Sequence, residues 1–393
     1  MRRTLLVILL LALLASVACN SRPVISTASP LSPLTSPLLT ATSQPTTTPT
    51  PRATPSPTLW PTSTATASPT PLSTPVGIAP PPGLIYTTQN GLWKIRSDGQ
   101  PSKISDLNIG VKVAPDGTRL LVPDTVDSQG LWLIDLKTGE RRNLTQSLGR
   151  IVCCPIWWPA HPDWVLFQSW APDDISPDFG YLTAARLDSQ EQRVLDSEYR
   201  SNGLPAPAPS GQQIAYDRSG EAWLYEWDSG PQQFDPQAYG VKGIQRIASL
   251  AWSPDGRQLA WYIGGDFGQG WQVGLAVFDL KAKTGWLLHV YTNVGRGGWF
   301  AAPAWSPDGE WLAFTAEDQD RAQAGLWITR VDGQEEHLIK PIEAHVTPLP
   351  VWSSDSRWLA VGRTLYEIGT WRAQLLALPS DAEVVAWINS APQ

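Results

Sequence analysis

Trp252-Ser253-Pro254-Asp255-Gly256-Arg257-Gln258-Leu259-Ala260-Trp261 is followed 53 residues later by Trp305-Ser306-Pro307-Asp308-Gly309-Glu310-Trp311-Leu312-Ala313-Phe314. A third copy, Trp352-Ser353-Ser354-Asp355-Ser356-Arg357-Trp358-Leu359-Ala360-Val361, keeps the frame with serine in place of proline. Weaker copies are Val113-Ala114-Pro115-Asp116-Gly117 ahead of Leu120-Leu121-Val122, and Pro207-Ala208-Pro209-Ser210-Gly211 ahead of Ile214-Ala215-Tyr216. The most degenerate is Trp157-Trp158-Pro159 ahead of Val165-Leu166-Phe167. The position held by Pro254 falls at 115, 159, 209, 254, 307 and 354, so the unit repeats every 44 to 53 residues. A period of that size built from strand-like pieces predicts the blades of a β-propeller.

Each unit reads as four strands. A short apolar strand ends at the tryptophan, and Pro-Asp-Gly makes a tight turn whose glycine is free to take a positive φ. The Leu-Ala-aromatic run is the second strand. The third begins at Gly91-Leu92-Trp93, Gly130-Leu131-Trp132, Ala222-Trp223 and Gly325-Leu326-Trp327. A second tight turn (Asp98-Gly99, Thr138-Gly139, Ser229-Gly230, Asp332-Gly333) leads to a polar outer strand. One such sheet cannot bury its own faces, so blades must stack around an axis. Near the start of the repeats, Leu84-Ile85-Tyr86 and Leu92-Trp93 lack a preceding inner strand, while Val384-Val385-Ala386-Trp387 is an inner strand with no blade after it. The C-terminal strand is therefore expected to complete the N-terminal blade, giving seven blades over residues 83–393. Six or eight follow only if the unit around Trp157 is misread.

The Trp-Ser-Pro-Asp-Gly motif with its Leu-Ala-aromatic strand resembles the repeat of the periplasmic TolB propeller. It is similar to WD-type repeats in length and to the propeller domains of prolyl oligopeptidase-type peptidases. The resemblance covers most of residues 83–390 and implies a fold. TolB-type proteins carry an α/β domain ahead of the propeller and the peptidases carry a hydrolase domain; this chain has a Pro/Thr-rich segment in the first place. Neither TolB partner contacts nor peptidase activity carries over.

The N-terminus predicts export. Arg2 and Arg3 precede an apolar run, Leu5 to Val17, that suits a signal-peptide core and is short for a membrane span. Ser16-Val17-Ala18-Cys19 resembles a bacterial lipobox, with serine where leucine is usual, which implies residues 1–18 as signal peptide and Cys19 as the lipid anchor. Ordinary secretory cleavage after Ala18 is the alternative. Residues 19–82 are dominated by Pro, Thr and Ser with almost no charge. Such a stretch cannot offset its ordering entropy by burial and is expected to be a disordered stalk. The formal charge of −7 becomes −9 once Arg2 and Arg3 leave with the leader. An acidic chain without a Lys/Arg-rich run is a poor nucleic-acid binder. The remaining cysteines, Cys153 and Cys154, are adjacent: they either form a strained disulfide or stay as two buried thiols.

The Pro-Asp-Gly turns and the second tight turns share one end of a propeller. The connections at 168–180, 196–206, 234–246, 262–271, 290–300 and 315–324 all fall at the other end, where loops on a rigid scaffold carry function. The candidate binding-face residues there are Trp170, Asp173, Asp174, Asp178, Asp266, Trp271, Arg296 and Trp299. Asp173, Asp174 and Asp178 could ligate calcium, although a solvated acidic loop is the commoner reading of such a cluster without a spaced Asp-x-Asp-x-Asp loop. Trp170, Trp271 and Trp299 are off-register with the repeat and suit stacking on a sugar or a partner's side chain, as well as wedging between blades. The recurring Asp116, Asp255, Asp308 and Asp355 read as turn caps rather than catalytic acids. The sequence has no nucleophile elbow, phosphate loop, dinucleotide fingerprint or His-Glu-x-x-His, so no catalytic residue, cofactor or metal is assigned. The expectation is a non-enzymatic binding module displayed at the cell envelope, holding an envelope protein or polysaccharide, with membrane contact through the lipid anchor. The alternatives are a carbohydrate-binding propeller using loop tryptophans and a propeller-based polysaccharide lyase or hydrolase.

Overall fold

In a computed structural model that describes residues 77–107, 110–123, 130–171, 180–199, 203–268, 270–291, 302–316, 325–341 and 350–388, the repeat motif closes a hydrogen-bonded turn. Gly256 N–H donates to the Ser253 carbonyl at 2.9 Å, and Gln258 N–H donates to the Ser253 hydroxyl oxygen at 2.9 Å. Asp255 Oδ1 accepts from the Ser253 hydroxyl at 2.6 Å and from Arg257 N–H at 3.1 Å, so one carboxylate holds the turn from both sides. Gly256 sits at φ 70, which explains the glycine. In the third copy Ser356 takes that conformation at φ 58, and its hydroxyl accepts from Asp308 N–H of the preceding turn at 3.0 Å.

The described residues form seven four-stranded antiparallel sheets, the expected blades. Blade 1 contains Leu84–Thr88, Gly91–Ile95 and Pro101–Ser105, with Glu383–Trp387 added beside Leu84–Thr88. That register, Leu84 opposite Trp387 and Ile85 opposite Ala386, closes the ring. Blade 2 is Lys112–Val113, Arg119–Pro123, Leu131–Asp135 and Arg141–Asn143; blade 3 is Ile151–Trp157, Trp164–Trp170, Tyr181–Arg186 and Gln192–Asp196. Blade 4 is Ala206–Pro207, Gln213–Arg218, Glu221–Glu226 and Gly230–Gln233; blade 5 is Ile244–Trp252, Gln258–Asp266, Trp271–Asp279 and Thr284–Tyr291. Blade 6 is Ala304–Trp305, Trp311–Ala316, Gly325–Arg330 and Glu336–Pro341; blade 7 is Pro350–Trp352, Trp358–Val361, Thr364–Glu367 and Ala373–Leu375. Ile78 adds a parallel bridge at the outer edge of blade 7: its N–H donates to the Leu375 carbonyl and its carbonyl accepts from Ala377 N–H, both at 2.8 Å.

The core lies between blades, with one apolar cluster at each of the seven junctions. Leu259 and Trp261 pack toward blade 4 while Ala260 packs toward blade 6, and all three are fully buried. The second strand is thus covered on both faces, which is why it reads as a continuous apolar run rather than an alternating one. The inner-strand tryptophans add a directional bond. Trp157 Nε1–H donates to the Lys112 carbonyl (3.0 Å), Trp252 to Ala206 (2.8 Å), Trp305 to Ala251 (3.1 Å) and Trp352 to Ala304 (3.0 Å). Each acceptor immediately precedes the preceding blade's own tryptophan-equivalent position.

The stretch 262–271, expected as an irregular connection, is instead mostly strand. Gln258–Asp266 and Trp271–Asp279 pair without a break from Gln258–Asp279 to Asp266–Trp271. Gly265 serves close strand approach, since a Cβ there would lie 2.0 Å from the Gly243 carbonyl oxygen, while Gly268 and Gly270, at φ 107 and 82, belong to the hairpin turn. The stretch 234–246 likewise holds a 3-10 turn, Pro236–Tyr239, and the start of an inner strand at Ile244. The signal peptide, Cys19 and the stalk up to residue 76 lie outside the described residues.

Replacing Trp305 by phenylalanine keeps the apolar bulk but leaves the Ala251 carbonyl without its indole donor. The W305F variant should lose about 1–3 kcal/mol in urea unfolding. W271F, at an exposed position, should lose less than about 0.5 kcal/mol.

Candidate functional site

At the end of the propeller opposite the Pro-Asp-Gly turns, blade 3 presents Trp170 as the last residue of its second strand, paired with Ile151 and half-buried. Beside it the Arg150 guanidinium lies 3.9 Å from the ring centre of Tyr181. Between blades 3 and 4, the buried Tyr216 hydroxyl donates to Asp196 Oδ2 at 2.7 Å, and Arg218 Nη1 is 3.6 Å from the same oxygen. Arg218 also pairs with Glu198 and covers the Trp223 ring at 4.5 Å. Burial first, and then the bond to Asp196, pushes the Tyr216 hydroxyl far above the usual phenol range. Gln168 Nε2 donates to the Tyr199 hydroxyl oxygen at 3.0 Å, and that hydroxyl donates to the Gly203 carbonyl at 3.1 Å. Cys153 and Cys154, left open between disulfide and thiols by the sequence, are joined to each other on the inner strand of blade 3.

Blade 5 carries the other described candidates. Its strands are longer than those of its neighbours, and Trp271 stands at the start of the third, 49% exposed. Val194 at 48% and Leu107 at 39% are the other exposed large apolar side chains among the described residues. Asp266, opposite Trp271, accepts from Gly268 N–H at 2.9 Å and Gly270 N–H at 3.1 Å and so caps the hairpin turn. Trp170 and Trp271 belong to blades 3 and 5, with blade 4 between them. Asp173, Asp174, Asp178, Arg296 and Trp299 lie outside the described residues. Among the described residues no three His, Cys, Asp or Glu side chains converge into a metal-binding group.

The tight-turn end holds a shallow depression of about 350 Å³ lined by Ser210 to Gln213 and by Glu226, Asp228 and Ser229. At the same end the repeat aspartates act as turn caps. The Ser353 hydroxyl, opposed by partial burial and helped by Arg357 N–H and the Arg357 charge, holds the Asp355 carboxyl below its usual range. At Asp255 burial pushes upward, but the Ser253 hydroxyl and Arg257 outweigh it and the carboxyl is again lowered.

The buried Tyr216–Asp196–Arg218 group had no signature of its own in the sequence. Tyr216 is the aromatic of a Leu-Ala-aromatic-type strand and Asp196 ends an outer strand of the blade before. Only the stacking of blades 3 and 4 brings them together.

The fold and these sites define a seven-bladed β-propeller. No protein-family model matches the chain and no curated protein does. Among solved structures it is similar to an oligogalacturonate lyase in complex with manganese, at 13% identity over 72% of this chain and 81% of that one, TM-score 0.53. It is similar to the oligogalacturonate lyase of Vibrio parahaemolyticus at 11% identity over 69% and 79%, TM-score 0.52. TolB from Acinetobacter baumannii matches at 18% identity over 64% and 62%, TM-score 0.45. At such identities the likeness to the two lyases is one of fold.

A carboxyl whose folded pKa is depressed stabilises the native state above its unfolded value and loses that contribution as pH falls through the folded one. The propeller should therefore weaken below about pH 4. D355N should be less stable than the unchanged chain at pH 6, and the gap should narrow as pH falls through the acid range, read as the urea midpoint.

Proposed function

We propose that the chain is a non-enzymatic binding module displayed at the cell envelope, which holds a protein partner against the end of the propeller that carries Trp170 and Trp271. Cys19 is its lipid anchor, and residues 20–76 are the spacer that keeps the head clear of the membrane, since Ile78 is already bonded to blade 7. The observation that carries this reading is Trp271, an indole 49% exposed at the tip of the longest blade rather than packed between blades. An exposed aromatic on a rigid hairpin is the kind of side chain that anchors protein interfaces, because it brings large contact area at low entropy cost. Asp266, its cross-strand partner, is committed to its own turn.

The test is chemical cross-linking of the mature full-length chain to an envelope extract, followed by mass spectrometry, with W271A alongside. The expected result is one specific protein captured through blades 3 to 5, with capture falling about tenfold or more in W271A, as for an interface hot spot. Undiminished capture by W271A, capture through the tight-turn end, or binding of glycan instead of protein would overturn the reading.

A further inference from the structure

Disulfides stabilise proteins chiefly by closing long loops in the unfolded chain. The Cys153–Cys154 bond closes none, since the two residues are neighbours. It also imposes a distortion. Their Cα atoms are 3.7 Å apart, the ordinary spacing across a trans peptide, so the adaptation falls on the backbone dihedrals. The inner strand of blade 3 accommodates the bond with Cys154 at φ 57, in the left-handed region that a non-glycine residue normally avoids. Its pairing breaks between Cys153 and Ile156. Both cysteines are half-buried, not sealed in the core.

Gln168 supplies the second observation. Its Oε1 lies 3.5 Å from Cys153 Sγ. The orientation of the amide is set from the other side: the Tyr199 hydroxyl gives its single proton to the Gly203 carbonyl and must accept from Gln168 Nε2. The amide oxygen is thereby aimed at Cys153. A disulfide sulfur has no proton to donate, so among the described residues this oxygen gains a donor there only when Cys153 is a thiol.

We propose that Cys153–Cys154 is a thiol–disulfide exchange site that cycles between the bonded pair and a dithiol, with a dithiol reductant as its reaction partner. A thiolate of the reductant attacks Cys154 Sγ; a mixed disulfide forms, the Cys153–Cys154 bond breaks and Cys153 leaves as a thiolate. That thiolate is protonated and donates to Gln168 Oε1. The second thiolate of the reductant then attacks its own sulfur in the mixed disulfide and releases Cys154, which is protonated in turn. The protein gains two electrons and two protons, and the reductant becomes a disulfide. Reduction removes the bond that ties Cys154 to Cys153. The inner wall of blade 3 is the element that responds.

The experiment incubates the mature full-length chain at fixed ratios of reduced to oxidised dithiothreitol, alkylates the thiols and maps Cys153 and Cys154 by peptide mass spectrometry, while far-ultraviolet circular dichroism follows the fold. The expected result is full, reversible reduction with the strand signal intact. In Q168L the equilibrium should move toward the disulfide, requiring about fivefold more reduced reagent, the worth of one hydrogen bond near 1 kcal/mol. Reduction that occurs only as the strand signal is lost would overturn the proposal without need of the variant, and so would a folded Q168L that titrates like the unchanged chain.

Discussion

Two-sided burial of the second strand in each blade is the constraint from which the rest of this structure follows. Leu259 and Trp261 look one way and Ala260 the other, so a blade alone would expose half of its apolar residues to water. Every blade therefore needs a neighbour on each side, and a linear stack would leave two blades bare. Closing the ring removes both ends at once, and pairing Glu383–Trp387 with Leu84–Thr88 does this with strands from opposite ends of the chain. The ladder between them makes the stability of blade 1 inseparable from that of the whole ring.

Apolar packing between blades is not directional, and a stack held by it alone could slide. The indole bonds supply register. Trp157, Trp252, Trp305 and Trp352 each reach the carbonyl one residue before the corresponding position of the previous inner strand. Blades 2 and 4 carry Val113 and Pro207 at this position and have no indole to offer. Their junctions rest on the clusters around Ile85 and Leu120 and around Trp158 and Tyr216, the second reinforced by the Tyr216–Asp196 bond. The repeated tryptophan is thus conserved within the chain for its N–H as well as its bulk.

Chemistry that departs from the repeat gathers at the end away from the tight turns. Blade 3 has an inner strand broken by the Cys153–Cys154 bond, and blade 5 has strands that run past those of its neighbours and end at Trp271. Blade 4 between them has Pro207 in place of the inner-strand tryptophan and shares the Tyr216–Asp196–Arg218 group with blade 3. Blades 3 and 5 flank blade 4, so the vicinal cysteines and Trp271 lie in one sector of the ring.

Much of this was legible in the sequence, because a propeller blade is local: its four strands are consecutive and its turns carry their own signature residues. The period of the Trp-Ser-Pro-Asp-Gly motif, the Leu-Ala-aromatic strands and the unpaired strand at each end together determined the blade number and the manner of closure. What reached across blades was not legible. The stretch 262–271 read as a loop, and only the neighbouring backbone at Gly243 shows Gly265 to be a site of close strand approach. The adjacent cysteines were visible, but whether they bond depended on a backbone that could place Cys154 at positive φ. The orientation of Gln168 toward them depended on Tyr199 and Gly203, more than thirty residues further along. Sequence alone determined the repeating unit, whose geometry is set by residues close in the chain; tertiary structure decided the sites, whose members meet only when separate blades stack.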